Sequence, residues 1–177
     1  MEEDSGKWIQ DGFAQESRDI ERRQMTMDRM RAEQSLQAGV VAGLLASIVG
    51  AAAWAAISAL TRYQIGWMAV AVAGLVGFAI RRVGKGIDAR FGCAGAVLAL
   101  WGCALGNYLV ICIQVASEYE VGFTRVLTSL SPWQAAQILV STLGLHEVLF
   151  YGIALVAGYR LSIRSVTEAD ILRGAGP

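Results

Sequence analysis

Charged residues occur along this chain in blocks, and the apolar gaps between the blocks set its architecture. Three charge-free runs, Gln34 to Thr61, Tyr63 to Ile80 and Phe91 to Ser117, are 28, 18 and 27 residues long. A helix rises about 1.5 Å per residue, so about 20 apolar residues cross a bilayer. The pattern predicts spans at about 36–60, 65–80 and 91–115, and a fourth at about 143–161 that contains one acid, Glu147. Residues 116–142 hold two acids, one arginine, a proline and several hydroxyls, and read as an external loop with a short amphipathic piece around Trp133 to Val140.

Residues 1–35 are polar, with Phe13, Ile20 and Met27 repeating every seven positions. That spacing puts the three on one helical stripe. The stripe fits a helix at the membrane surface or against a partner, and a solvated, partly disordered arm is the competing reading. The expected fold is therefore all-α: an integral membrane four-helix bundle over 36–164, preceded by an N-terminal amphipathic cytoplasmic helix (1–35) and followed by a cytoplasmic tail (165–177).

Small residues recur at every fourth position inside the spans. The first carries Gly39, Gly43, Ser47, Ala51, Ala55 and Ala59; the second has Gly66, Gly74 and Gly77. The third has Gly95, Ala99, Cys103 and Asn107 on one face, with Gly102 and Gly106 on the next. Residues i and i+4 share a helix face, so such ladders let helix backbones approach closely. Packing within one chain and packing between copies both fit them.

Composition sharpens this picture: 55% of the residues are hydrophobic, only 17% are charged, and the mean hydropathy is +0.46. Those values argue against a cytosolic enzyme, a disulfide-stapled secreted domain and a nucleic-acid binder. Net charge is formally zero, yet its distribution is lopsided. With four spans, thirteen of the fifteen basic residues fall on one side and only Arg62 and Arg125 on the other. The positive-inside rule then puts both termini in the cytoplasm. The start MEEDSG is acidic, so the first span is expected to serve as an uncleaved anchor. Arg81, Arg82, Lys85 and Arg90 act in this scheme as a topology signal, or as contacts for anionic lipid headgroups.

Glu147 stands out chemically, because an ionisable group within an apolar helix is costly unless paired, hydrated or protonated. Counting along the helices puts Asn107 at a similar depth, with Arg62, Gln64 and His146 near the outer rim. Such a cluster serves as a proton or cation relay, or as polar glue between helices. His146-Glu147 begins a zinc-protease HExxH, but Phe150 occupies the position of the second histidine. Cys93, Cys103 and Cys112 are spaced ten and nine apart without a CxxC pair, and read as small buried hydrophobes rather than metal ligands. No nucleophile elbow, phosphate loop or dinucleotide fingerprint occurs, so neither an enzyme nor a cofactor is expected.

The text YQIGWMAVAVAGLVGFAIRRVGKGID from Tyr63 to Asp88, then Arg90 to Gly92, Gly95 with Ala96, Leu98 to Asn107, LFYGIA and GYR, resembles a family of uncharacterised small bacterial multi-pass membrane proteins. The likeness covers roughly residues 40–164. It implies a four-helix membrane protein and no catalytic activity. Some relatives carry an N-terminal zinc ribbon, and this chain departs there, since residues 1–35 contain no cysteine.

The expected function is a non-enzymatic component that packs with itself or within a larger membrane complex, its other partners being lipids. A small transporter or ion pathway using Glu147 and Asn107 is the alternative from another class.

Overall fold

A computed structural model describes residues 2–61, 66–142 and 145–165, with side chains described for 12–61, 66–131, 133–134, 136–138, 140 and 148–165. Among these residues the chain is helical and without strands: α1 (Glu2–Ala32), α2 (Leu36–Thr61), α3 (Trp67–Gly84), α4 (Ala89–Glu118), α5 (Phe123–Ser129), α6 (Pro132–Thr142) and α7 (Leu145–Ser162). Three of them, α2, α3 and α4, are long and apolar enough to cross a membrane. The described apolar stretch of α7, Val148–Ser162, is shorter.

Contacts divide the chain into two units, one built on α1 up to Gln34 and one over Ser35–Arg164. In the first, Phe13 and Ile20 are exposed on the helix surface. Thr26 is buried and returns its hydroxyl proton to Arg22 O (2.9 Å).

In the second unit, contacts fix the direction of every long helix. Gly39 lies against Gly84, Gly43 against Ile80 and Gly50 against Val72, so α2 and α3 are antiparallel. Gly102 reaches Val72, and the Cys103 thiol points to Ala69 O (3.7 Å), so α4 also opposes α3. Leu98 sits near Gly43, while Gly106 sits under Trp54, which makes α2 and α4 parallel. Finally α7 meets α3 at Gly66–Phe150 and at Gly77–Leu161, eleven residues along in both helices, so these two run parallel. Helices α3 and α4 touch each other, and each also packs against both α2 and α7.

The helix ends follow from local chemistry. Ser35 caps α2, accepting the Ala38 N–H on its hydroxyl (3.3 Å). Its own N–H donates to Gly84 O (3.1 Å), and Arg164 N–H donates to Gly86 O (2.8 Å). The α3–α4 loop thus binds both the start of α2 and the end of α7, and Phe91 packs over Gly39, Gly84 and Gly86 beside it. At the opposite end, Ser131-Pro132-Trp133-Gln134 forms a capping box on α6. The Ser131 hydroxyl accepts Gln134 N–H (3.2 Å), and Gln134 Oε1 accepts Ser131 N–H (2.9 Å). The Tyr108 hydroxyl, directed at Leu130 O (2.9 Å) and Leu127 O (3.1 Å), ties α5 to α4.

The expected boundaries shift outward in two places. Helix α3 runs on through Arg81 and Arg82 to Gly84, and α4 begins at Ala89 and continues to Glu118. An apolar count marks the hydrocarbon-compatible part of a helix, whereas backbone hydrogen bonding continues into the polar flanks. The segment read as a loop, 116–142, contains α5 and α6, and α6 includes the anticipated amphipathic piece.

Candidate functional site

Most of the small-residue ladders are occupied within the chain, whereas Gly74 has nothing within 4 Å of its Cβ position. Gly39, Gly43, Ser47, Ala51 and Ala55 are all buried, while Ala59 is exposed. The Ser47 hydroxyl, fully buried, shares its proton between Gly43 O (2.8 Å) on its own helix and Leu98 O (2.9 Å) on α4. Gly102 fits between Val72 and Ser47, and Gly106 lies beneath the Trp54 ring. Gly95 meets Gly158 and Ser162 of α7 so closely that a Cβ on Gly158 would come within 2.8 Å of Gly95 O. Ala154, Gly158 and Ser162 form a matching ladder on α7, all fully buried. That ladder is visible in the sequence at the same four-residue spacing, although Glu147 draws attention away from it.

Near the α2 C-terminal end, the helix directions bring Trp54, Gly66, Asn107 and Tyr151 to one level. Gly106 supports the Trp54 indole, Gly66 abuts Phe150, and the Asn107 amide nitrogen donates to the Tyr151 hydroxyl. Trp67 and Phe150 stack obliquely there, with centroids 5.9 Å apart at 55°. Asn107 is 8% exposed and Trp54 4%, so this is a polar layer inside an apolar assembly. The Trp54 indole N–H, fully buried, has no hydrogen-bond partner among the described residues. Such a donor costs about 1–3 kcal/mol unless something accepts from it.

Asn107 therefore faces α7, as its depth implies, and its described partner there is Tyr151. Tyr151 follows Glu147 by four residues in α7, one helical turn, which was the available signal for it. The side chains of Glu147 and His146 lie outside the described residues, as do Arg62 and Gln64 altogether. Cys93 is exposed, whereas Cys103 and Cys112 are buried on the same helix.

A second concentration of polar groups occupies the other end, around the α3–α4 loop. Arg81, Arg82, Lys85 and Arg90 are all exposed there, and Arg82 lies 5.8 Å from the centroid of the Phe78 ring. Arg160 and Arg164, at the end of α7, reach the same end of the bundle because Arg164 is bonded to Gly86. Comparison with family models, with curated proteins and with solved structures found no match to this chain.

Proposed function

We propose that this chain is a four-span protein of a bacterial inner membrane, with α2, α3, α4 and α7 crossing the bilayer and both termini in the cytoplasm. We further infer a non-enzymatic role as a packing or assembly component of a membrane complex. What supports this reading is the closed centre of the bundle, where Ala51, Ala73, Ala99 and Cys103 have no exposed surface. Helices packed that tightly form a rigid support with no wide passage at mid-depth. Because the glycine faces are used inside one chain, contacts with a partner fall to what remains exposed: the outer face of α2 (Val41, Leu45, Val49) and the α1 stripe of Phe13 and Ile20.

Cross-linking of the full chain in native membranes tests this. The expected result is a reproducible adduct with a second copy or another membrane protein, lost when Val41, Leu45 and Val49 are changed together. Recovery of monomer alone, with no co-purifying protein, contradicts the assembly role.

One observation favours the transport alternative: a polar layer made of Asn107, the Trp54 N–H, which has no partner among the described residues, and Tyr151, on the helix that carries Glu147. Liposome flux that disappears in Glu147→Gln would establish it. An intact bundle without flux leaves these groups as interhelical glue.

A further inference from the structure

Six cations converge where α2 begins and α7 ends: Arg81 and Arg82 from α3, Lys85 and Arg90 on either side of the start of α4, Arg160 in the last turn of α7 and Arg164 just beyond it. Within 80–90 and 159–165 the one acid is Asp88. This charge is not spread evenly. Along the seam of α3 and α7, residue n of α3 lies level with residue n+84 of α7, as Gly66–Phe150 and Gly77–Leu161 show. Arg81 follows Gly77 by four residues and so stands on the face of α3 turned toward α7. Arg164 lies two residues past the end of α7, and its backbone is pinned to Gly86. Arg160 sits about one turn deeper, exposed among exposed apolar side chains: Val156, Tyr159 and Leu161 on α7.

Arg160, exposed in the last turn of α7 and flanked by apolar surface, stands at the depth of a lipid headgroup in the four-span reading. Deeper along α7 the surface beside it is apolar, with Ile153 and Val156 exposed. A phosphate ester carrying acyl chains matches both halves of this surface, and arginine forks are suited to bidentate phosphate binding. We propose that Arg81 and Arg160 bind the phosphate of one anionic phospholipid of the cytoplasmic leaflet, whose chains lie along the α3–α7 seam. This rests on the reading that α7 lies in the bilayer. The bound lipid spans two helices and holds the end of α7 against α3.

The test uses the purified full chain with a mixture of phosphatidylglycerol and phosphatidylcholine, read by native mass spectrometry. Phosphatidylglycerol adducts should dominate in the wild type and fall about tenfold or more in Arg81→Gln/Arg160→Gln. The control Arg125→Gln, on α5 at the opposite end, should keep them. Equal retention of both lipids, or adducts unchanged in the double variant, overturns the proposal. Membrane placement of α7 is read separately from Ile153→Cys in a Cys93→Ala background, by reaction with an impermeant maleimide in vesicles. Protection together with missing lipid selectivity removes the lipid site alone. Rapid labelling removes the four-span reading and the lipid site with it.

Discussion

Gly95 and Gly158 stand where α4 and α7 come closest, and their hydrogen-only side chains set that separation. A Cβ on either would press on the backbone of the other helix, which cannot move aside as a flexible side chain would. Gly95→Leu should therefore destabilise the bundle by about 1–3 kcal/mol or more, whereas Gly152→Leu, which has nothing within 4 Å of its Cβ position, should be close to neutral. Unfolding of both variants in mixed micelles checks the contrast. The polar layer gives a second pair. Tyr151→Phe strips Asn107 of its described hydroxyl partner and should cost about 0.5–2 kcal/mol. Trp54→Phe removes a buried donor that has no partner among the described residues, so its loss of ring area should be offset, leaving stability within about 1 kcal/mol. A large loss in Trp54→Phe would show that the indole N–H is satisfied.

Among the elements, the turn between α3 and α4 carries conformational strain, as does Glu120 (φ 51°) after α4. Lys85 adopts φ 49°, ψ 28°, the left-handed region that a side chain enters at a cost of about 1 kcal/mol. Lys85→Gly should thus stabilise the folded protein by about 0.5 kcal/mol, less the greater freedom that glycine gives the unfolded chain. Thermal unfolding against Arg82→Gly, placed inside α3, separates this local relief from a general effect of lost charge.

How far these elements were legible depends on which signal each one leaves in the sequence. Helix α2 was located almost to the residue, because its apolar run ends where Ser35 caps it. The polar turns that extend α3 and α4 carry no hydropathy signal, and α5 is a seven-residue helix too short for periodicity to register. Asn107, noticed as a polar residue in an apolar run, lies in the packed interior against Tyr151. Tyr151 was not singled out because a tyrosine inside an apolar run breaks no pattern, although its position one turn after Glu147 marks the same face.

For the whole molecule, the connectivity of the packed helices and the distribution of charge point to the same arrangement by independent routes. Backbone bonds from Ser35 to Gly84 and from Arg164 to Gly86 gather the start of α2 and the end of α7 at one end, with no reference to charge. The same end holds Arg81, Arg82, Lys85 and Arg90, while Arg125 lies on α5, beyond the far end of α4. In the four-span arrangement, cysteines introduced one at a time at Glu33 and Ser165 in a Cys93→Ala background should react only from the cytoplasmic side. A cysteine at Glu118 should react only from the opposite side. Because orientation follows lysines and arginines near the helix ends, it should also respond to moving them. Neutralising Arg81, Arg82, Lys85 and Arg90 while adding basic residues at Glu118 and Glu120 should give a mixture of orientations, with Glu33→Cys labelled from both sides. Retention of a single orientation would mean that the α1 unit, rather than the α3–α4 loop, sets the topology.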